Sequence, residues 1–99
     1  MPKFAYKIFN QGSNTLLAIS DAGIIGKTIG TKEIELTVSK EFYSEKSCDE
    51  KDIPRLVSSA TIVNAIGKEI ISLLLKNGFI NDKNILYVGE VPHAQIITI

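Results

Sequence analysis

Residues 60–76 constrain this chain more than any other stretch, because Ala60-Thr61-Ile62-Val63-Asn64-Ala65-Ile66-Gly67-Lys68-Glu69-Ile70-Ile71-Ser72-Leu73-Leu74-Leu75-Lys76 is its longest apolar run. Asn64, Lys68, Ser72 and Lys76 recur at every fourth position. They would form one narrow polar stripe on a helix, so the periodicity predicts a central helix over 60–76 covered on several sides. Asn77-Gly78 supplies the left-handed residue that closes helices, and Lys76 places a cation at the negative end of the helix dipole. Two residues fit such a helix poorly. Gly67 costs about 1 kcal/mol relative to alanine in a helix interior, and Asn64 competes with helical hydrogen bonding. Three apart, they would share a face. Either Gly67 admits a close strand or loop to whose backbone Asn64 bonds, or the two form a ligand or partner face.

The chain has 99 residues, the size of one domain able to bury a core without metal or disulfide staples. Eleven basic residues balance eleven acidic ones, so charge alone would not hold a nucleic acid. The charge is unevenly spread, however. Residues 1–40 carry five lysines against Asp21, Glu33 and Glu35, which leaves room for a local basic face built from Lys3, Lys7, Lys27 and Lys32. Cys48 is the only cysteine, which excludes an internal disulfide and fits a reducing compartment. Met1-Pro2-Lys3-Phe4 leads into an alternating segment rather than an apolar leader, and nowhere do about 18 apolar residues run uninterrupted, so no membrane span is expected.

Along the chain, 4–9 reads as a strand with Phe4, Tyr6 and Ile8 on one side, and turn-rich 10–14 joins it to a second strand at 15–19. Ser20-Asp21 offers an N-cap to a short helical turn at 22–25. Residues 33–38 alternate apolar and polar without exception, which predicts a third strand with one wet face. Asp49-Glu50-Asp52 with Pro54 behind marks a helix start, and that helix is expected to reach Val57. Ser58-Ser59 either bends the chain into the central helix or is absorbed by it. Residues 85–88 and 96–99 read as fourth and fifth strands, joined by a loop at 89–95. The predicted class is α+β: a small mixed or antiparallel sheet of about five strands packed against a central helix, in the order β-β-(short α)-β-α-α-β-β.

Little in the chain carries recognisable chemistry. Gly26-Lys27-Thr28 matches the end of a phosphate-binding loop, but that pattern needs glycine where Asp21 stands and a long helix where Gly30 interrupts. A structural zinc needs about four Cys or His ligands, and only Cys48 and His93 exist, so no metal and no cofactor is expected. A histidine with an unperturbed ring changes charge near neutrality, which makes His93 a candidate acid or base; the hydroxyls of Ser39, Tyr43 and Thr61 are candidate neighbours, but spacing pairs none of them with it. It is read as a clamp or contact residue, or alternatively as a catalytic one.

Four stretches taken together resemble an archaeal family known as domain of unknown function 424. They are Asp21-x-x-Ile24-Ile25-Gly26-Lys27-Thr28, Val38-Ser39-x-x-Phe42-Tyr43, Ala60-x-x-x-Asn64-x-x-Gly67 and, most specific, Gly89-x-Val91-Pro92-His93-Ala94-Gln95. Glu90 departs from the pattern, where a small residue is expected. The resemblance implies a cytoplasmic archaeal protein of unassigned activity, and by analogy with small archaeal proteins of this kind a place in translation.

Three functions follow as expectations. The first is a ribosome- or translation-associated binding protein, not catalytic, contacting ribosomal RNA or ribosomal and translation-factor proteins through the lysines and the 89–95 segment. The alternative is a small enzyme or ligand-binding protein with a pocket around His93, lined by Asn64 and Gln95. The third is a homo-oligomer that pairs through the apolar C-terminal strand at 96–99. Asn64, Gly67, Gly89, Val91, Pro92, His93, Ala94 and Gln95 are expected to lie at one site, a recognition surface in the first reading and a pocket in the second. There Gly67 and Gly89 allow close approach and Pro92 stiffens the presentation of His93 and Gln95.

Overall fold

Phe4–Gln11 (β1) and Asn14–Asp21 (β2) form the hairpin expected; β1 runs two residues past the expected 4–9, and β2 starts one residue before and ends two after the expected 15–19. Phe4, Tyr6 and Ile8 do share one side and reach the same core. In this computed structural model, which describes residues 3–98, the hairpin is the first part of a six-stranded sheet. A 3-10 turn at Ala22–Ile24 follows. Next comes a small flap, Thr28–Gly30 (β3) paired with Glu35–Thr37 (β4) in a separate two-stranded sheet. Short helix Lys40–Tyr43 (α1), strand Lys46–Cys48 (β5) and helix Ile53–Ser58 (α2) complete the first half.

The predicted central helix is two elements. Ile62–Ile66 is a strand (β6), and only Lys68–Lys76 is helical (α3), with Gly67 between them at φ 127° and ψ 150°. The physical reason is competition between local period and tertiary context. β-Branched Ile62, Val63 and Ile66 suit a strand as well as a helix turn. Here β6 lies between β2, which it pairs in parallel, and Val91–Ile97 (β8), which it pairs antiparallel, so its backbone is paired on both sides. The helix stops where expected: Gly78 at φ 77° donates to the Leu75 carbonyl and Phe79 to that of Leu74, a Schellman closure.

Strand Ile85–Val88 (β7) also falls where expected, and a tight turn at Gly89 and Glu90 returns the chain into β8. Thus 89–95 is not a loop. Its last five residues are strand, continuous with 96–97, while Ile99 lies outside the described residues. Of the strand predicted at 33–38, only Val38 is buried, while Ile34 is 61% exposed, because the segment belongs to the flap and touches the core only at its end. The class is α+β as expected, with sheet order β5-β1-β2-β6-β8-β7 and β2–β6 the one parallel pair in it.

Helices α2 and α3 cover one face of the sheet. Ile53, Leu56, Ile70, Ile71 and Leu74 pack there against Phe4, Leu17, Ile19, Val63, Ala65 and Ala94. The acids expected to mark a helix start cap a 3-10 turn at Glu50–Asp52 that leads directly into α2, with the Asp49 amide donating to Asp52 Oδ2 at 3.1 Å; α2 itself begins without a side-chain cap and has Pro54 in its first turn. The opposite face is covered over part of its area only, by the flap and α1, through Val38, Tyr43, Ile29 and Phe42 over Ala18 and Ile66. No described helix is long and apolar enough to cross a membrane. No group of three or more His, Cys, Asp or Glu among the described residues is placed to hold a metal ion.

Candidate functional site

Helix α1 is held by Ser39, whose Oγ accepts from the Phe42 amide at 3.2 Å. Phe42 stacks on Phe9 of β1 with ring centroids 5.2 Å apart, and Tyr43 meets Phe42 edge-on at 4.8 Å. These contacts aim the Tyr43 hydroxyl at β6, where it donates to Asn64 Oδ1 at 2.7 Å. His93 Nε2 lies 2.9 Å from the same oxygen. Strand pairing makes this possible. Asn64 is opposite Gln95 and Ile66 is opposite His93, so Asn64 and His93 sit diagonally on one face of adjacent strands.

An amide oxygen only accepts, so with Asn64 Oδ1 between two donors His93 carries its proton on Nε2 and leaves Nδ1 as a bare acceptor. Neither His93 Nδ1 nor Asn64 Nδ2 bonds to a described protein group. No described buried side-chain nitrogen or oxygen lacks a partner, so both of these atoms reach solvent. Burial lowers the His93 pKa below its ordinary value and pushes the Tyr43 hydroxyl up to about 12. The network is therefore neutral at physiological pH. It has two donors on one acceptor rather than a base beside a nucleophile. Ser39 Oγ is engaged by Phe42 and Glu41, and Thr61 Oγ1 by Thr15, so neither hydroxyl faces His93. Cys48 is buried on the helix face with its thiol pushed up to about 11 by desolvation and by Asp52 and Asp49.

The network marks the boundary between the covered and the open parts of this sheet face. On the open part Gln95, Leu86 (69% exposed) and Ile97 (66% exposed) face solvent beside half-buried Leu16 and Ile62. A shallow depression of about 230 Å³ beside His93 is lined by Lys83, Asn84, Leu86, Ala94 and Gln95.

The eight expected site residues divide. Asn64, His93 and Gln95 meet on the open face, and Val91 is on the same face under the flap. Pro92 and Ala94 are buried and turned to the helix face, where Ala94 joins the core. Gly67 and Gly89 are joints. A Cβ on Gly67 would stand 2.4 Å from Asp21 Cγ, and one on Gly89 would stand 2.9 Å from the Cα of Gly30 in the flap. Asp21 does not cap the turn that follows it. Its carboxylate instead accepts from the amides of Glu69 at 3.0 Å and Ile70 at 2.8 Å, capping α3 from 48 residues away. Burial raises the Asp21 pKa, the two amide donors oppose that, and neighbouring Glu69 adds to it. Glu90 is exposed at the tip of the β7–β8 turn, which is why a large side chain fits there.

The four lysines expected to form a basic face are not on one surface. Lys3 is on the helix side, 3.9 Å from Glu50, in a groove shared with Lys68, Glu69 and Lys76. Lys7 is on the opposite face, donating to the Glu41 carbonyl at 3.2 Å and lying 5.0 Å over the Phe9 ring. Lys27 and Lys32 are exposed around the flap. A helical period over 60–76 does not disclose this open face; strand alternation in β6 does, because it puts Ile62, Asn64 and Ile66 on one side, opposite Ile97, Gln95 and His93.

Among families of related sequences, the one described as "Protein of unknown function (DUF424)" matches residues 9–99. Among solved structures, the chain is similar to the crystal structure of an uncharacterized conserved protein from Methanopyrus kandleri. The identity is 27% and the TM-score 0.76, over 94% of this chain and 89% of that one. No curated protein matches.

Proposed function

The chain belongs to the DUF424 family of proteins of unknown function, and from that premise we propose that it is a binding module of the archaeal translation apparatus whose recognition surface is the open part of the sheet around Asn64, His93 and Gln95. The observation that supports this reading is the Tyr43–Asn64–His93 network at the edge of an uncovered, partly apolar face. A hydrogen-bonded imidazole held in one tautomer is presented there at low entropic cost, with aliphatic side chains beside it to be covered by a partner. The placement in translation rests on the family resemblance, and the partner is a ribosomal protein, a translation factor or ribosomal RNA.

The separation of the lysines favours a contact in which few phosphates are neutralised. With two or three lysines engaged, RNA affinity would fall only about 12- to 40-fold between 50 and 200 mM salt. Co-sedimentation of the tagged protein with archaeal ribosomal subunits across such a salt series is the test. Association that survives in the wild type and is lost in His93→Ala and Gln95→Ala, with both variants folded, supports the proposal. Protein that stays in the supernatant at every salt concentration removes the ribosomal setting, and association indifferent to both variants removes this surface. The small-ligand alternative draws on the depression beside His93, which is smaller than the roughly 300–1,000 Å³ of ordinary ligand pockets and open to solvent.

A further inference from the structure

The two edges of the six-stranded sheet differ in a way that points to a second copy of this chain. At one edge β5 is three residues long and carries the exposed cation Lys46, a common guard against edge-to-edge pairing. At the other edge β7 reads Ile85-Leu86-Tyr87-Val88, with no charge and no proline, and no described strand pairs with its outer side. Leu86 is 69% exposed toward the flap side and Tyr87 is 65% exposed toward the helix side.

The hairpin register shows which backbone groups of this edge are spare. Val88 and Val91 flank the two-residue turn, whose first residue, Gly89, has φ 64° as a II′ turn requires, so these two exchange hydrogen bonds. Bonded and non-bonded pairs alternate, so Leu86 bonds with His93 while Tyr87 faces Pro92 across a non-bonded pair. Pro92 agrees with this assignment, since it has no N–H and gives its carbonyl to the Gly67 amide on the other side. The Tyr87 N–H and C=O therefore point out of the sheet.

We propose that β7 pairs antiparallel with β7 of a second copy about a two-fold axis at Tyr87, joining two six-stranded sheets into one. In that register the two Tyr87 residues exchange N–H and C=O bonds, and Leu86 lies opposite the second copy's Val88 on the flap side. The carbonyl of Ile85 takes the second copy's Gly89 amide. The charges also agree. Asn84 faces the second copy's Glu90, which sets that carboxylate beside Lys83, and symmetry repeats the opposite-sign contact at the other end. A two-fold axis perpendicular to the sheet keeps both flap faces on the same side, so the open surfaces of the two copies would adjoin. The inference does not depend on what those surfaces bind.

Leu86 and Tyr87 together expose roughly 250 Å² of side chain, about a third of the ~800 Å² that each partner buries in a stable interface. With the strand backbone and turn residues added, the interface is small, and the dimer is expected to dissociate in the micromolar range. Sedimentation equilibrium of the full chain from micromolar to millimolar concentration reads this directly, with Tyr87→Pro and Leu86→Lys as variants. Tyr87→Pro deletes an N–H that bonds to no described group within one copy, so the fold is expected to survive, as checked by circular dichroism. Leu86→Lys copies the guard at the other edge. A monomer–dimer equilibrium weakened at least tenfold by both variants is the expected result. A monomer at every concentration, or a dimer unaffected by either change, overturns the proposal.

Discussion

Replacing Gly67 with alanine should be among the most damaging single-methyl additions in this protein, for two separable reasons. The first is the backbone. At φ 127° and ψ 150° Gly67 occupies a region open essentially only to glycine, and holding another residue there costs about 1–3 kcal/mol. The second is Asp21. The new methyl would stand 2.4 Å from its Cγ, so the carboxylate must swing away and release the Glu69 and Ile70 amides. Losing a cap of this kind costs about 1–2 kcal/mol. Gly67→Ala should then lose about 2–5 kcal/mol, a large part of the roughly 5–15 kcal/mol available to a small domain. Asp21→Ala alone should lose about 1–2 kcal/mol. The cap can be lost only once, so the double variant should be no less stable than Gly67→Ala. The two changes would thus couple by about 1–2 kcal/mol. Urea unfolding at neutral pH, with unchanged m-values as the two-state check, measures all four corners of the cycle. Additivity within about 0.5 kcal/mol would falsify the claim that Gly67 is glycine partly to admit Asp21.

Asn64→Ala strands the buried Tyr43 hydroxyl and should cost about 1–3 kcal/mol in the same assay, whereas Tyr43→Phe leaves Asn64 bonded to His93 and should cost about 1 kcal/mol or less. The reverse ranking would show that Asn64 is not the hub. His93 has a folded pKa below its unfolded value, so the unfolded state binds the extra proton first. Its contribution is full above about 6.5 and is lost as pH falls from there through the lower folded value. Stability measured from pH 7 downward should therefore decline less in His93→Gln than in the wild type, and parallel curves would contradict the burial of the ring. Cys48, buried and with its thiol pushed up to about 11, should resist a thiol reagent at pH 8 in the native state and react on unfolding.

Features that depend on near neighbours were legible in the chain itself. The β1–β2 hairpin, the acid-marked start of α2, the Asn77-Gly78 stop and strand β7 all follow from turn chemistry, capping and short-range period, which act within a few residues. The specific run from Gly89 to Gln95 also marked His93 and Gln95, and the structure places both beside Asn64. Three things were decided only by tertiary structure. The segment 62–66 has a pattern that suits a helix turn or a strand, and its place between β2 and β8 selects the strand by pairing its backbone on both sides. Asp21 looks locally like the cap of the turn after it, yet its carboxylate serves α3, because Gly67 brings that helix's free amides within reach. Tyr43, Asn64 and His93 are separated by 21 and 29 residues, and no spacing rule joins them. Their meeting depends on the register of β6 with β8 and on the stacking of α1 over the sheet, relations that exist only once the sheet has formed.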